Sequence, residues 1–520
     1  MITSIDTAVS LPKNTNQALG IGTFAVQFMS GSIGKPAQEV LDKTSLFFTD
    51  AVLCGLSAIA VKTNAPTVLR EEALGCPAEI GATVFGSTCS VFPEKAILAN
   101  CAAVREWDSN GTNFGYNPSL GHTAGEFGHN DFYAVPIAAA QVMGLDGAAA
   151  LRGMVLLDEI RGRLAEVFSL KTYKIDHVVH GALASAAVYG AMCGATAEQI
   201  ESAIGMSVAH FIPWRAIRAG KQLSDSKGSS AAISTEVAIV SMKRTMNGFM
   251  GPRDIFRNPE SVFRYFENTN GDSPFDLNLS HSGSDFAVMG MHFKIGLYEH
   301  QSAGALQGLL NLIQENPNIA ANPSQIDVIK ITAYEPAFGI IGDPAKRDPK
   351  TRQSADHSMV YIVSTMLRKA EEIVNSEGVE FFAQSNDEVW KRIMLTPYDF
   401  DADAISNKTT RSIMETIFFE HGGEEFDKNY PDGIPTSVQI TMKDGGLFDS
   451  GLVMYPSGHA RNTSCNLQDI LQSKFAMHGQ IAMDDPTGVI ERCSSIGSLD
   501  VAGVKNLWNI KLANRPVYKD

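Results

Sequence analysis

The segment "GALASAAVYGAMCGATAEQIESAIGMSVAHF" (Gly181–Phe211) reads as a helix, a Gly-Ala-Thr break and a second helix. Its apolar residues recur at helical spacing, and its many alanines and glycines let neighbouring helices approach closely. The same texture runs outward in both directions. "PAQEVLDKTSLFFTDAVLCGLSAIA" (Pro36–Ala60) and "AAALRGMVLLDEIRGRLAEVF" (Ala148–Phe168, after a "GLDG" turn) are again helical in period. From Gly20 to about His210 the chain therefore predicts a tightly packed helical domain.

Around "FENTNGDSPFDLNLSHSGSD" (Phe266–Asp285) the sequence turns polar and rich in Gly, Asn and Ser, as a linker would. Beyond it "QIDVIKITAY" alternates like a strand. "TSVQITMKDGGLFDSGLVMYP" reads as two strands joined by a turn at Lys443–Gly446, and "MVYIVSTMLRKAEEIV" and "TTRSIMETIFFEH" read as helices. "NLQDILQSKFAMHG" and "GVIERCSSIGSL" return to helix. The expectation is a mainly α protein: a helical domain over 1–285, rejoined by helices within 459–520, and a smaller α+β domain over 286–458.

A chain of 520 residues can hold two domains, each with its own core. Its formal net charge of −15 argues against nucleic acid as a partner. An anionic ligand would need a local basic cluster working against that field. Seven scattered cysteines without C-x-x-C spacing fit reduced thiols, with no zinc knuckle and no support for an iron–sulfur cluster. The opening "MITSIDTAVSLPKNTNQ" has neither a secretory pattern nor the arginines of a transit peptide, and no long apolar run predicts a membrane span. These features point to the cytoplasm, with the mitochondrial matrix as the alternative in a eukaryote.

"GIGTFA" (Gly20–Ala25) matches a loose dinucleotide fingerprint but lacks the strand that must precede it. No Walker loop, H-E-x-x-H or G-x-S-x-G is present. Four polar segments do stand out. "REWDSNGTNFGYNPSLGHTAGEFGHNDFYAVPIAAA" (Arg105–Ala140) sets Asp108, Thr112, His122 and His129 in a Gly-rich loop before an apolar helix. "YKIDHVVHGALASAA" brings His177 to the start of another helix. "WRAIRAGKQLSDSKGSSAAISTEVA" runs Arg215, Arg218, Lys221 and Lys227 into a Gly/Ser/Ala helix start, which suits anion binding. "HFKIGLYEHQSAGAL" carries Lys294. Singly, each residue has a structural explanation: a capping histidine, a solvated lysine, an arginine bridging domains. Together they combine imidazoles for proton transfer with cations for carboxylates.

These segments carry a resemblance to the MmgE/PrpD family. "KIDHVVHGALASAAVYGAMCGATAEQIESAIGMSVAH" (Lys174–His210) resembles its histidine segment, and "SDSKGSSAAISTEVAIVSMKRTMNGFMGPRDIF" (Ser224–Phe256) its lysine segment. "FKIGLYEHQSAGALQGLL" (Phe293–Leu310) resembles the start of the family's lid domain. "YEPAFGIIGDPAKRDPKTRQSADHSMVYIVSTML" (Tyr334–Leu367) and "LVMYPSGHAR" (Leu452–Arg461) resemble that domain's signature stretches. Carried over, the family's active-site acid and hydroxyl fall on Asp108 and Thr112, its histidines on His129 and His177, and its lysines on Lys227 and Lys294. Tyr334 and His357 are lid candidates. One departure stands out: the family's D-F-D-D-T run is Asp108-Ser109-Asn110-Gly111-Thr112 here, and a longer spacer leaves His122 as a rival to His129.

The resemblance implies elimination of water from 2-methylcitrate, the step of propionate catabolism that yields 2-methyl-cis-aconitate, by a homodimer that needs no metal or cofactor. In that scheme Lys227 and Lys294, helped by Arg215, Arg218 and Lys221, neutralise the substrate's carboxylates. His129 or His177 removes the α-proton, and the other, or a lysine, protonates the departing hydroxyl. Asp108 holds its partner charged, and Thr112 hydrogen-bonds the substrate. Decarboxylation of cis-aconitate and epimerisation of a small dicarboxylate use similar residues in the family. A non-catalytic anion-binding paralogue is the alternative of another class.

Overall fold

The computed structural model describes residues 3–5, 7–114, 126–218, 222–267 and 269–520; of residues 3–5, 113–114, 126–129 and 340 the backbone alone is described. The opening segment forms helices Val178–Met192 and Ala197–His210. Gly194 supplies the left-handed turn between them (φ 81°), and Thr196 and Gln199 cap the second helix reciprocally. Apolar on nearly every side, Val178–Met192 is buried on nearly every side, as such a helix must be. Close approach fixes the glycine in Ala197–His210: a Cβ on Gly205 would lie 1.8 Å from the Pro252 carbonyl oxygen.

Around this pair, helices Gln17–Ser30, Gln38–Ala60, Pro93–Glu106, Ala134–Met143, Gly147–Val167 and Ser230–Met246 close one hydrophobic core. "GIGTFA" lies inside Gln17–Ser30, so it forms no phosphate loop. Gln38–Ala60 is long and apolar enough to cross a membrane by composition, yet 89% of its most apolar window is buried inside the fold. A second core gathers around a sheet whose strands run in the order Ile417–His421, Ile326–Ala333, Thr436–Met442 and Leu447–Asp449. Helices Ala303–Glu315 and Met359–Glu377 pack on it. The architecture is thus mainly α, with two domains, the smaller of them α+β.

Two readings change. "TTRSIMETIFFEH" is not one helix: Lys408–Met414 is helical, and Ile417–His421 is a strand pairing in parallel with Ile326–Ala333. Its β-branched and aromatic residues follow strand preference once a partner edge is at hand. The polar stretch read as a linker contains strand Leu277–Ser280, which pairs with Ala8–Leu11 and buries Leu277 and Leu279. That partner is more than 260 residues away, as in the pair Leu11 and Leu277, and invisible to a local window.

Helix Leu467–Ala482 returns to pack on Gln38–Ala60. There the Lys474 ammonium donates to Asp50 Oδ1 (2.6 Å) and to the Ser109 carbonyl (2.5 Å), while Asp50 Oδ2 accepts from the Gly111 amide (2.9 Å). His478 lies between the hydroxyls of Ser57 (3.1 Å) and Ser109 (3.0 Å). All of these side chains are buried. Replacing Lys474 by Met leaves the Asp50 carboxylate without its cation. The expected cost is about 3–5 kcal/mol, read as a lower urea midpoint by circular dichroism; an unchanged midpoint contradicts it.

Candidate active site

Helix Pro93–Glu106 ends at Trp107, whose extended backbone turns the chain away from the helix axis. The indole N–H donates to Ser57 Oγ (2.9 Å), and the next carbonyl, that of Asp108, accepts from the Tyr298 amide (3.0 Å). So anchored, the buried Asp108 carboxylate faces four cationic or ionisable groups. They are Arg105 (3.1 Å), Lys227 (3.5 Å), Nε2 of His357 (3.2 Å) and Lys294, which donates to Oδ1. The departure from the family run has a structural role. Ser109 Oγ donates to the Gly296 carbonyl (2.9 Å) and Asn110 to Asp131 (2.5 Å), while a Cβ on Gly111 would lie 2.3 Å from the Phe47 ring.

Behind this centre runs a chain of ion pairs. Asp356 accepts from Nδ1 of His357 (2.5 Å) and pairs with Arg352 (3.1 Å), which in turn donates to Glu106 (2.7 Å). Both nitrogens of His357 face carboxylates, which favours the imidazolium. Burial first, then the Lys227 ammonium 3.3 Å away, push its pKa the other way, to about 3. A neutral His357 donates through Nδ1 to Asp356, and Asp108 is served by its three other cations. Although burial pushes Asp108 upward, the charges of Arg105, Lys294 and Lys227 hold it well below the usual carboxylate range. Burial draws Lys294 down and Lys227 to about 7, the latter only partly offset by Asp356 and Asp108.

One cleft joins these groups to others. Its walls carry four lysines and three arginines against two acids, Asp108 and Glu299, a reversal of the chain's acidic balance. His177, just before helix Val178–Met192, contributes Nδ1 at 3.7 Å from Asp176; burial keeps its imidazole neutral, reinforced by Arg218 and Arg215. Arg218 is fixed by a two-pronged contact with Asp176. Burial and the Asp108 charge raise Glu299 to about 7.

Of the residues singled out from sequence, Asp108, His177, Arg215, Arg218, Lys227, Lys294 and His357 line this cleft. Thr112 and Tyr334 do not. Thr112 is buried with its backbone paired to His292, and Tyr334 stacks on Tyr430 at 4.4 Å. Neither hydroxyl has a hydrogen-bond partner among the described residues. His122 and Lys221 lie outside the described residues. Of His129 only the backbone is described, in register with Thr112. Sequence reasoning missed Arg105, Lys171, Lys346, Glu299 and His300 on the cleft walls. His300 is buried, with neither ring nitrogen hydrogen-bonded among the described residues, and stacks on His292 at 5.0 Å. Its signal was its place in "KIGLYEHQ", six residues after Lys294.

Among the described residues Asp108, Asp356 and His357 form the one His/carboxylate group close enough to share a metal ion. Their carboxylates are already paired to Lys227, Lys294, Arg105 and Arg352, whose charge a divalent ion would have to displace. The donor set is therefore matched to ammonium and guanidinium groups.

Family models match both domains. Residues 23–273 match the MmgE/PrpD N-terminal domain and residues 298–487 the MmgE/PrpD C-terminal domain. The chain belongs to the MmgE/PrpD family. It is similar to the mitochondrial 2-methylcitrate dehydratase of Yarrowia lipolytica, at 24% identity over 89% of this chain and 84% of the relative. It is 23% identical to the 2-methylcitrate dehydratase of Escherichia coli O157:H7 over 88% of this chain and 89% of the relative. A fungal alkylcitrate dehydratase, phiI, is 22% identical over 63% of this chain and 60% of the relative.

Folding lowers the Lys227 pKa from 10.5 to about 7, so between those values the unfolded chain binds more protons than the folded one. Stability must rise with pH in that window. The stability of the wild type relative to Lys227→Met should therefore increase from about pH 7 towards 10.5 in denaturant titrations; a pH-independent difference contradicts the assignment.

Proposed function

We propose that this chain dehydrates 2-methylcitrate to 2-methyl-cis-aconitate. The observation that carries the reading is the cleft itself. It sets a neutral imidazole, His177, and a lysine poised near neutrality, Lys227, inside a ring of fixed cations, on an acidic chain. Removing a proton α to a carboxylate adds charge to a group already negative, so the carboxylates must first be neutralised. Lys294, Arg215 and Arg218 serve that end, and in a water-poor cleft their fixed charge acts strongly. His177 takes the α-proton as base. The substrate's C–H electrons form the double bond, the C–O bond breaks, and Lys227 gives its proton to the departing hydroxyl, which leaves as water. Asp108 holds the two ammonium groups in place. The names of relatives that cover nearly all of this chain support the same reaction.

The test follows the ultraviolet absorbance of the conjugated product, using chelator-treated protein with 2-methylcitrate and, separately, citrate. Turnover should survive the chelator, and Lys227→Ala and His177→Asn should each lower kcat by about 100-fold or more. No product from either acid overturns the reading. Itaconate formed from cis-aconitate would assign decarboxylation instead.

We also infer a homodimer. Trp214 and Phe211 are large apolar side chains left exposed beside the segment that carries Arg215, as at an association surface. Light scattering should give twice the 56.0 kDa chain mass; a monomer at working concentration contradicts this.

A further inference from the structure

The cleft's charged walls account for carboxylates and a hydroxyl, but not for an alkyl substituent. Among its described lining residues two are aliphatic, Leu223 and Ile341. Each is firmly seated. The Leu223 amide donates to Ser354 Oγ (3.0 Å), which tethers the segment leading to Lys227 to the one leading to His357. Ile341 ends the π-helical turn Ala337–Ile341, closed by the Gly342 amide donating to the Ala337 carbonyl (2.9 Å), and lies five residues before the cleft's Lys346. Ile341 is 3% exposed and Leu223 9%, so both belong to the interior, yet both border open space. Apolar surface bordering a void lacks packing partners, which an apolar group of a ligand can supply.

We propose that Leu223 and Ile341 form the wall against which the alkyl substituent of the substrate packs, and that their bulk sets the length of alkyl chain accepted. The inference rests on the reading of the cleft as a tricarboxylate site and deepens it: the substrate class is a citrate bearing a short alkyl group, with citrate itself a poor ligand. Both walls are needed, because the surrounding cations and imidazoles offer an alkyl group no comparable surface.

Citrate, 2-methylcitrate and 2-ethylcitrate are titrated into wild type, Leu223→Ala and Ile341→Ala by calorimetry, and kcat/KM is measured separately for each. Leu223→Met and Ile341→Val are carried alongside as variants that keep the core filled. Wild type should favour 2-methylcitrate over citrate by about tenfold or more, the discrimination one methyl group gives in an apolar pocket. The alanine variants should reduce that ratio and raise 2-ethylcitrate relative to 2-methylcitrate, with the milder variants in between. If the methyl-to-hydrogen ratio is the same in wild type and all variants, in binding and in turnover, the wall is overturned while the dehydratase reading stands. If nothing is turned over but binding still depends on the alkyl group and on both residues, the wall stands and the dehydratase reading falls. A folded wild type that binds none of the three overturns both.

Discussion

The Asp108 carboxylate is the point on which the site depends. Arg105, Lys227, Lys294 and His357 come from four separate segments and meet at this one buried acid. Burying the charges of Arg105, Lys227 and Lys294 costs several kcal/mol each, and only a well-placed counter-charge offsets it. Asp108 supplies that counter-charge but cannot neutralise them all. The remainder is a cleft with surplus positive charge, which is what an anionic ligand needs and what an acidic chain cannot offer elsewhere. Burial is the main reason that lysine and histidine pKa values fall together here, and neighbouring cations add to it.

The loop that carries Asp108 is held as firmly as a core element. Ser109, Asn110 and Gly111 each have a buried partner, in Gly296 and His478, Asp131, and Asp50. A Gly-rich polar segment that reads as flexible is thus pinned by polar contacts rather than by side-chain bulk. Gly111 is required where the backbone passes the Phe47 ring. Rigidity at this position keeps the carboxylate fixed, the kind of preorganisation that electrostatic catalysis requires.

Much of this was legible in the sequence, for identifiable reasons. Small-residue helices announce themselves by period, and the segments bearing Asp108, His177, Lys227 and Lys294 stand out by local composition. What escaped was set by tertiary structure. Arg105 looks like any charged residue at a helix end until the fold buries it; Lys346 sits in an ordinary polar turn; Glu299 and His300 were in view beside Lys294 but had no local mark of burial. Thr112 and Tyr334 show the converse: residues chosen by resemblance that are not among those lining the cleft. Ile417–His421 and Leu277–Ser280 needed strand partners that no local window contains.

The return of helix Leu467–Ala482 to the first core has a consequence for how the chain is made. Lys474 reaches back 365 residues to the Ser109 carbonyl, and His478 reaches back 369 to its hydroxyl. Synthesis runs from the N-terminus, and domains begin to fold as they emerge. The helices around Gly181–Phe211 can therefore pack while translation continues, but the segment beside Asp108 waits for its last two fasteners until nearly the whole chain has left the ribosome. A nascent chain stalled before Lys474 would carry the helical body without the two contacts that hold Ser109, so the candidate site is completed only when translation is nearly done.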